Sequence, residues 1–190
     1  VSDIDMGVTV MGKRIDMPLM LSPTALQRLF HWQGERAVAS VAQRFNTWFG
    51  ISSLATVSIE EVGEKIKTPK LFQLYIHKDK GLNTSMIERC KAAKFDAIAL
   101  TVDTIVSGNR ERCLRSGFTS PPRFTPESVL SYAIHPMWAL NYMFREKFSL
   151  PNLQTHVDAG TNVAVSVAEY FNTMLDTSMD WKMAEKVRSD

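Results

Sequence analysis

Four short, largely apolar runs in the sequence end in, or are followed by, side chains that form hydrogen bonds. These side chains belong to Ser22 and Thr24, to Ser52, to Gln73 and Tyr75, and to Thr101 and Asp103. If the runs are parallel strands, their carboxyl ends meet at one edge of a sheet, where α/β proteins bind ligands. Hydroxyl, amide and phenol groups gathered there suit a planar heteroaromatic ligand. The alternative is that Ser and Thr end strands only because they cap the next turn.

A second candidate for chemistry is Arg110, which lies just past the fourth run. A guanidinium group over such a cavity can bind a carboxylate through two parallel hydrogen bonds. The alternative is a loop arginine that pairs with Glu111 or with solvent, and without further context the residues favour that alternative.

The four runs occupy residues 18–21, 48–51, 71–75 and 97–100. Each is continuous rather than alternating, which is typical of strands buried on both faces of a parallel sheet. Helix patterns separate the runs, so a strand–helix unit repeats at intervals of about 23–30 residues, as in right-handed βαβ crossovers. This rhythm predicts either an open doubly wound sheet or part of a (β/α)8 barrel.

The helix patterns between the runs are three. The first is an apolar stripe of Ala37, Val38, Val41, Ala42 and Phe45, the second starts with the capping-box pair Ser58 and Glu61, and the third is a stripe of Met86, Ile87, Cys90 and Ala93. The spacing of three and four residues predicts amphipathic helices. Asn83, Thr84 and Ser85 are the candidates for the N-cap of the third helix.

The chain changes character on both sides of this repeat. Residues 7–15 predict a short hairpin with Gly12 at its turn. From residue 103 to about residue 177 no clear barrel strand follows, and a segment of that length should carry its own short helices. The predicted starts of these helices are Thr125-Pro126 and His135, the latter for a helix reaching Phe148, and Ser178 is predicted to cap a last helix with Trp181, Ala184 and Val187.

The composition limits the class of protein. The chain has 190 residues, with 22 Lys and Arg against 20 Asp and Glu, so its net charge of +2 argues against a strongly electrostatic grip on nucleic acid. Hydrophobic residues make up 45% and charged residues 22%, as in globular proteins. Two cysteines, Cys90 and Cys113, are too few for a disulfide scaffold, which favours a reducing, cytoplasmic compartment. We expect no metal site, and neither a membrane-spanning run nor a signal peptide is visible.

Five motifs, in order and at matching spacing, resemble those of the FMN-dependent L-2-hydroxy acid dehydrogenase/oxidase family, which includes glycolate oxidase, bacterial L-lactate dehydrogenase and mandelate dehydrogenase. The motifs are Pro23-Thr24-Ala25, His31-x-x-Gly34-Glu35, Ser52-Ser53-x-Ala55-Thr56, Phe72-Gln73-Leu74-Tyr75, and Thr101-Val102-Asp103-Thr104 followed by Gly108-x-Arg110-Glu111. Each motif is weak alone, and the five together are specific. The match covers nearly the whole chain and is loosest after Pro122.

The resemblance implies a (β/α)8 TIM barrel that holds FMN at its C-terminal mouth. This chain would supply about the first four strand–helix units and a long insert. The implied parts are a capping hairpin at 1–16, strands one to four with their helices at 17–102, the insert at 103–177, and the start of the next helix at 178–190. By matching positions, the FMN-binding residues are Pro23, Thr24, Ala25, Ser52, Gln73 and Thr101, and the substrate-binding residues are Tyr75 and Arg110.

The sequence also departs from the family. The family's general base is a histidine in a Ser-Asn-His-Gly-Gly segment, which this sequence does not contain. We therefore expect no catalytic residue in this chain, and we expect structural or surface roles for its histidines, which are His31, His77, His135 and His156. The chain would be a fragment of a longer protein, one half of a split protein, or a half-barrel that pairs with a second copy. Alone, it should not turn over lactate.

The function implied by the resemblance is oxidation of a small L-2-hydroxy acid, with lactate expected, to the 2-oxo acid. The electrons would pass to a quinone, a cytochrome or oxygen, and the full-length protein would be a homo-oligomer, with a tetramer expected. The alternatives are a non-catalytic half-barrel module for flavin binding or assembly, and another flavin- or phosphate-binding barrel enzyme.

The segment at residues 135–148 is apolar almost all round and carries Trp138, Phe144 and basic residues. Such a composition suits the membrane surface, which would place the protein peripherally on the cytoplasmic face of the inner membrane. The alternative is a lid or a subunit-contact helix that is buried in the full assembly.

Overall fold

The computed structural model describes residues 4–103, 111–115, 125–146, 149–153 and 173–189. The strands are β1 (Val8–Val10), β2 (Lys13–Ile15), β3 (Met20–Leu21), β4 (Trp48–Ser52), β5 (Lys70–Leu74) and β6 (Ala97–Leu100). The helices are α1 (Gln27–Phe30), α2 (Glu35–Arg44), α3 (Ile59–Lys65), α4 (Lys80–Ala92), α5 (Glu111–Arg115), α6 (Pro126–Ala133), α7 (Pro136–Phe144) and α8 (Trp181–Ser189).

Within these residues β3, β4, β5 and β6 form a parallel sheet in which every strand lies beside the next one in sequence. The register pairs Ile51 with Phe72 and Phe72 with Ile98. A doubly wound sheet reverses its strand order at a switch point, whereas a barrel adds strands in sequence order. The observed order is the one expected for a barrel, and no switch point occurs among the four described strands.

Side chains of the sheet alternate between two clusters. Phe49, Ile51, Phe72 and Leu74 pack with the helices, whereas Trp48 and Leu71 pack on the opposite face. The central strands β4 and β5 are buried along their whole length, as the continuous apolar runs predicted. That prediction was wrong for β3 and β6, which are only partly buried; in the described part of the chain each of them pairs with one strand.

The hairpin of β1 and β2 covers the end of the sheet where the strands begin. Its turn contains Met11 and Gly12, both with positive φ (49° and 73°), a conformation that glycine adopts at little cost. Ile15 is fully buried and packs in the cluster of Trp48 and Leu71. Lys13 forms a salt bridge of 2.8 Å with Asp96, which precedes β6.

Two of the predicted N-caps are confirmed. The Ser58 hydroxyl accepts a hydrogen bond of 3.1 Å from the Glu61 backbone N–H at the start of α3. The Glu61 carboxylate, however, accepts hydrogen bonds from the Arg36 guanidinium, so only the Ser58 half of the predicted capping box is formed. Thr125 caps α6 through the Ser128 backbone N–H, as its position before Pro126 predicted.

Two other cap predictions were wrong, because an aspartate takes the cap in each case. The N-cap of α4 is Asp79, whose carboxylate accepts a hydrogen bond from the Leu82 N–H. The helix therefore begins four to six residues earlier than the candidates Asn83, Thr84 and Ser85 predicted. Asp180 caps α8 through the Met183 N–H at 3.0 Å, whereas Ser178 donates its hydroxyl to Asp176.

The stripe predicted for α2 is correct only in part. Of its residues Ala42 is fully buried, while Val41 and Phe45 are nearly half exposed; Ala39, which was not in the stripe, is also fully buried. The third predicted stripe is confirmed, since α4 buries Met86, Ile87 and Cys90. Burial raises the pKa of the Cys90 thiol to about 12, which keeps it protonated and unreactive at neutral pH.

Candidate functional site

The side chains of Ser52, Gln73 and Thr101 form one hydrogen-bonded row across three neighbouring strands. The Ser52 hydroxyl donates to the Gln73 side-chain oxygen at 3.0 Å, and the Gln73 side-chain NH₂ donates to the Thr101 hydroxyl oxygen at 2.7 Å. The structure therefore brings together three of the polar side chains that were predicted to converge at the carboxyl edge of the sheet.

The sheet register explains why these three side chains meet. Ser52 and Gln73 are directly paired between β4 and β5, and the Thr101 N–H continues the ladder by donating to Leu74 O at 3.0 Å. Successive side chains of a strand alternate between the two faces of the sheet. The row consequently lies on the face that carries Trp48 and Leu71, away from the helices.

The row is held in a fixed orientation and still has capacity for a ligand. The Ser52 Oγ accepts the Leu54 N–H at 3.1 Å, and the Ser53 N–H donates to the Gln73 carbonyl at 3.0 Å. The half-buried Thr101 hydroxyl accepts from Gln73, so its own proton is available for a further hydrogen bond. Neutral donors and acceptors at the carboxyl edge of the sheet suit a planar heteroaromatic ligand.

The segment Pro23–Ala25 reaches this edge because Gly50 has no side chain. A Cβ atom at Gly50 would lie 2.6 Å from Pro23 Cδ and 2.8 Å from Pro23 N. A hydrogen bond at the next residue also holds this segment beside the loop after β4: the Leu26 N–H donates to Leu54 O at 3.1 Å. The Thr24 side chain is exposed and Ala25 packs partly against the core.

Of the two predicted substrate-binding residues, the structure describes only Tyr75. Tyr75 follows Gln73 by two residues, at the same end of β5, and is half-buried against the core. Arg110 lies outside the described residues. The predicted roles of both residues, and of the six FMN-binding residues, stay predictions.

The described histidines have structural or surface positions. His77 is fully buried, its Nδ1 lies 3.1 Å from Asn83 Oδ1, and burial lowers its pKa below the usual value. It pairs in an isolated bridge with Leu175, which brings the segment before α8 beside the end of β5. His31 and His135 are exposed, and His156 lies outside the described residues. In the described part of the chain, no group of three or more His, Cys, Asp or Glu residues is placed to hold a metal ion.

Sequence reasoning missed two buried polar residues that hold the loops near the site. Asn152 is fully buried and accepts the Ile59 N–H at 3.0 Å, although 93 residues separate the two. Glu35 is also fully buried, and its carboxylate binds Thr56. For Glu35 the available signal was its place in a family motif, whereas no pattern in the sequence pointed to Asn152.

Helices α6 and α7 pack together and lie against α1 through aromatic side chains. The Trp138 ring stacks between Tyr132 and Tyr142, with both centroid distances at 5.1 Å. Its indole N–H donates to Leu29 O at 2.9 Å. One side of α7 therefore faces the protein, because Trp138 packs inward.

The rest of this helix pair presents an apolar face that is exposed. The large apolar side chains on it are Val129, Leu130, Ile134, Met137, Leu140, Met143 and Phe144. Met137 and Phe144 are 71% and 77% exposed. Beside the pair, the Arg145 guanidinium lies 4.6 Å from the centroid of the Trp32 ring. No helix among the described residues has the length and the apolar character to cross a bilayer.

Comparison with known proteins gives consistent matches. The family model described as FMN-dependent dehydrogenase matches residues 1–190. Glycolate oxidase 1 of Oryza sativa subsp. indica is 34% identical over 189 residues, which are 100% of this chain and 45% of that protein. The L-lactate oxidase of Nostoc sp. is 44% identical over 126 residues, which are 64% of this chain and 34% of that protein. The chain thus spans less than half the length of these relatives.

Solved structures agree with the sequence matches. The monotopic membrane protein (S)-mandelate dehydrogenase superposes with a TM-score of 0.88 at 27% identity, over 100% of this chain and 50% of its own. A mandelate oxidase superposes with a TM-score of 0.72 at 26% identity, over 99% of this chain and 44% of its own. With the sequential parallel sheet, these matches confirm the prediction of a partial (β/α)8 barrel.

Proposed function

This chain belongs to the family of FMN-dependent dehydrogenases, and on that premise we propose that the protein containing it oxidises a small L-2-hydroxy acid, with L-lactate as the expected substrate, to the 2-oxo acid. FMN is the cofactor of the family. The single observation that carries the proposal for this chain is the row of Ser52, Gln73 and Thr101, whose neutral hydrogen-bonding groups suit a flavin ring.

Six residues would hold the cofactor. The backbone of Pro23, Thr24 and Ala25 would line the isoalloxazine, and Ser52, Gln73 and Thr101 would hydrogen-bond its ring. When bound, FMN accepts the two electrons that the substrate loses. Fixed donors at the ring edge stabilise the charge that builds up there, and they cost no reorganisation because the row is already hydrogen-bonded.

Two residues would place the substrate. Arg110 would bind the substrate carboxylate through two hydrogen bonds. Tyr75 would hydrogen-bond the substrate hydroxyl or carboxylate and hold the α-carbon close to the ring. The general base that the family uses is a histidine in a segment that this sequence lacks, so we expect the 190-residue chain alone to be inactive.

The test of this function uses the full-length polypeptide. The purified protein should be yellow, and its flavin absorbance should bleach when L-lactate is added without oxygen. A yellow protein that no 2-hydroxy acid bleaches would support the alternative of a flavin-binding or assembly module. A colourless protein that does not take up added FMN would contradict both functions.

We further propose that the exposed apolar face of α6 and α7 rests on the surface of a membrane. The support is that this face carries large apolar side chains with Arg145 at its edge, and that the whole chain superposes on a monotopic membrane protein. Docking at the cytoplasmic face would favour a membrane-held electron acceptor, a quinone or a cytochrome, over oxygen. The tetramer stays a prediction.

Vesicle binding tests this docking. We expect the double variant Met137→Ser/Phe144→Ser to lose most of its co-sedimentation with vesicles of mixed anionic and zwitterionic lipid, because both side chains are largely exposed on that face. The control is Val41→Ser, which removes an exposed apolar side chain from α2. Trp138 is unsuitable as a test position because it packs inward. Equal pelleting of wild type and the double variant would contradict the docking.

A further inference from the structure

A fully buried carboxylate lies close to the proposed flavin site and has no role in the mechanism above. It belongs to Glu35, the first residue of α2. Its Oε1 accepts the Thr56 backbone N–H at 2.9 Å, and its Oε2 accepts the Thr56 hydroxyl at 2.6 Å. Burying a charge is costly unless hydrogen bonds compensate it, and here both oxygens are committed to one residue. Glu35 therefore fixes Thr56 in both position and orientation.

Thr56 lies in the loop that leaves β4 directly after Ser52 and leads to α3. That loop is also held at its start, where the Leu54 N–H donates to the Ser52 hydroxyl and the Ser53 N–H donates to the Gln73 carbonyl. Because only three residues separate Ser52 from Thr56, a displacement at Thr56 is transmitted to the row of the site.

Thr56 also contacts the other predicted flavin-binding segment. Its hydroxyl oxygen accepts the Arg28 N–H at 3.3 Å, and Arg28 belongs to α1, which begins two residues after Ala25. Glu35 reaches Thr56 because the preceding residue, Gly34, packs closely against Arg28. A Cβ atom at Gly34 would lie 2.5 Å from Arg28 Cγ and 2.9 Å from Arg28 N, and the φ of Gly34 is +49°. One hydroxyl group thus joins the loop after β4, helix α1 and helix α2.

We propose that Glu35 and Thr56 are positioning residues for the flavin. Their hydrogen-bonded pair fixes the distance between the segment Pro23–Ala25 and Ser52, the two parts of the chain that approach the ring from neighbouring strands. Neither residue touches the flavin, and both act through the loop and through α1. The proposal rests on the proposed function, because it assigns the pair to the same site.

The experiment compares three threonine variants of the full-length protein. Thr56→Val removes the hydroxyl and keeps the shape, Thr56→Ser keeps the hydroxyl and removes a methyl group, and Thr68→Val is the matched control. Thr68 is equally buried, and its hydroxyl donates to Thr47 O at 2.7 Å next to the start of β5, at the opposite end of the sheet. The measurements are the Kd of FMN, from quenching of flavin fluorescence, and the Tm of each apoprotein.

We expect Thr56→Val to weaken FMN binding by about tenfold, because the Glu35 carboxylate and the Arg28 N–H each lose their hydrogen bond to the Thr56 hydroxyl. Thr56→Ser should stay within about twofold of wild type, since the hydroxyl is retained. Thr68→Val should lower Tm but leave the Kd unchanged. If Thr56→Val does not fold, Glu35→Gln gives the same test, because the amide keeps the size and loses one acceptor oxygen.

The outcomes separate this proposal from the function on which it rests. If Thr56→Val and Thr68→Val change the Kd equally, or if Thr56→Ser loses as much affinity as Thr56→Val, the positioning role is wrong. If Gln73→Leu weakens FMN binding while Thr56→Val does not, the flavin site stands and the positioning role alone falls. If the wild-type protein does not bind FMN, both proposals are overturned.

Discussion

Replacement of Gln73 by leucine is expected to weaken FMN binding by about a hundredfold in the full-length protein. The Gln73 side chain joins Ser52 to Thr101, so its loss leaves both hydroxyl groups without the partner that orients them. It also removes an amide that would face the flavin ring. Leucine has a similar volume, so the sheet should keep its packing. Titration of the apoprotein with FMN, followed by fluorescence quenching, gives the Kd.

The matched control is Gln43→Leu. The Gln43 side-chain oxygen accepts the backbone N–H groups of Lys67 and Thr68, just before β5 begins. This variant also loses two hydrogen bonds of a glutamine side chain, but at the opposite end of the sheet. We expect it to lower stability and to bind FMN normally. If Gln73→Leu retains the wild-type Kd, Gln73 does not belong to the flavin site.

Replacement of Gly50 by alanine is expected to destabilise the protein by about 1–3 kcal/mol, the usual cost of overpacking. The added methyl carbon would lie 2.6 Å from Pro23 Cδ and 3.2 Å from Leu21 O. A ring atom and a backbone atom cannot turn away, so β3 and Pro23 must shift. Without that contact, alanine would stabilise the protein by about 0.4–1 kcal/mol, because it lowers the conformational entropy of the unfolded chain. Urea unfolding measures the difference in free energy.

The sign of the Gly50 result is therefore informative. Gly7→Ala is the control, because the nearest atoms there belong to the side chains of Arg14 and Asp5, which are exposed and can move. We expect that variant to stay within about 0.5 kcal/mol of wild type. We also expect Gly50→Ala to weaken FMN binding, since Pro23 begins the segment that would line the ring. A stabilised Gly50→Ala protein would contradict the close approach.

Local patterns in the sequence predicted the central part of the fold and the meeting of Ser52, Gln73 and Thr101 at the carboxyl edge of the sheet. Continuous apolar runs identified β4 and β5, and the stripe at Met86, Ile87 and Cys90 identified α4. These predictions succeed because burial on one or both faces sets a period that is visible in a few residues. The polar residues at the strand ends could be grouped in advance because parallel strands share one carboxyl edge.

Cap positions were less predictable, because several polar residues compete for each cap. Asp79 caps α4, and Asn83, which was a candidate, instead accepts the His77 N–H and donates to the His77 carbonyl. Asp180 similarly caps α8 in place of Ser178. A local pattern gives the helix, but tertiary contacts decide which side chain is left to cap it.

The order of strands, the face of each helix and the partners of buried polar groups were decided only by the tertiary structure. The rhythm of strands and helices allowed two architectures, and the sequential pairing of β3 to β6, with the superposition on related structures, selected the barrel. The composition of the insert indicated an apolar surface, and the hydrogen bond from Trp138 to Leu29, 109 residues away, determined which side of it turns inward. Residue type and spacing fix what a segment can bury or bind, whereas contacts between residues so distant in sequence depend on the packing of the whole chain.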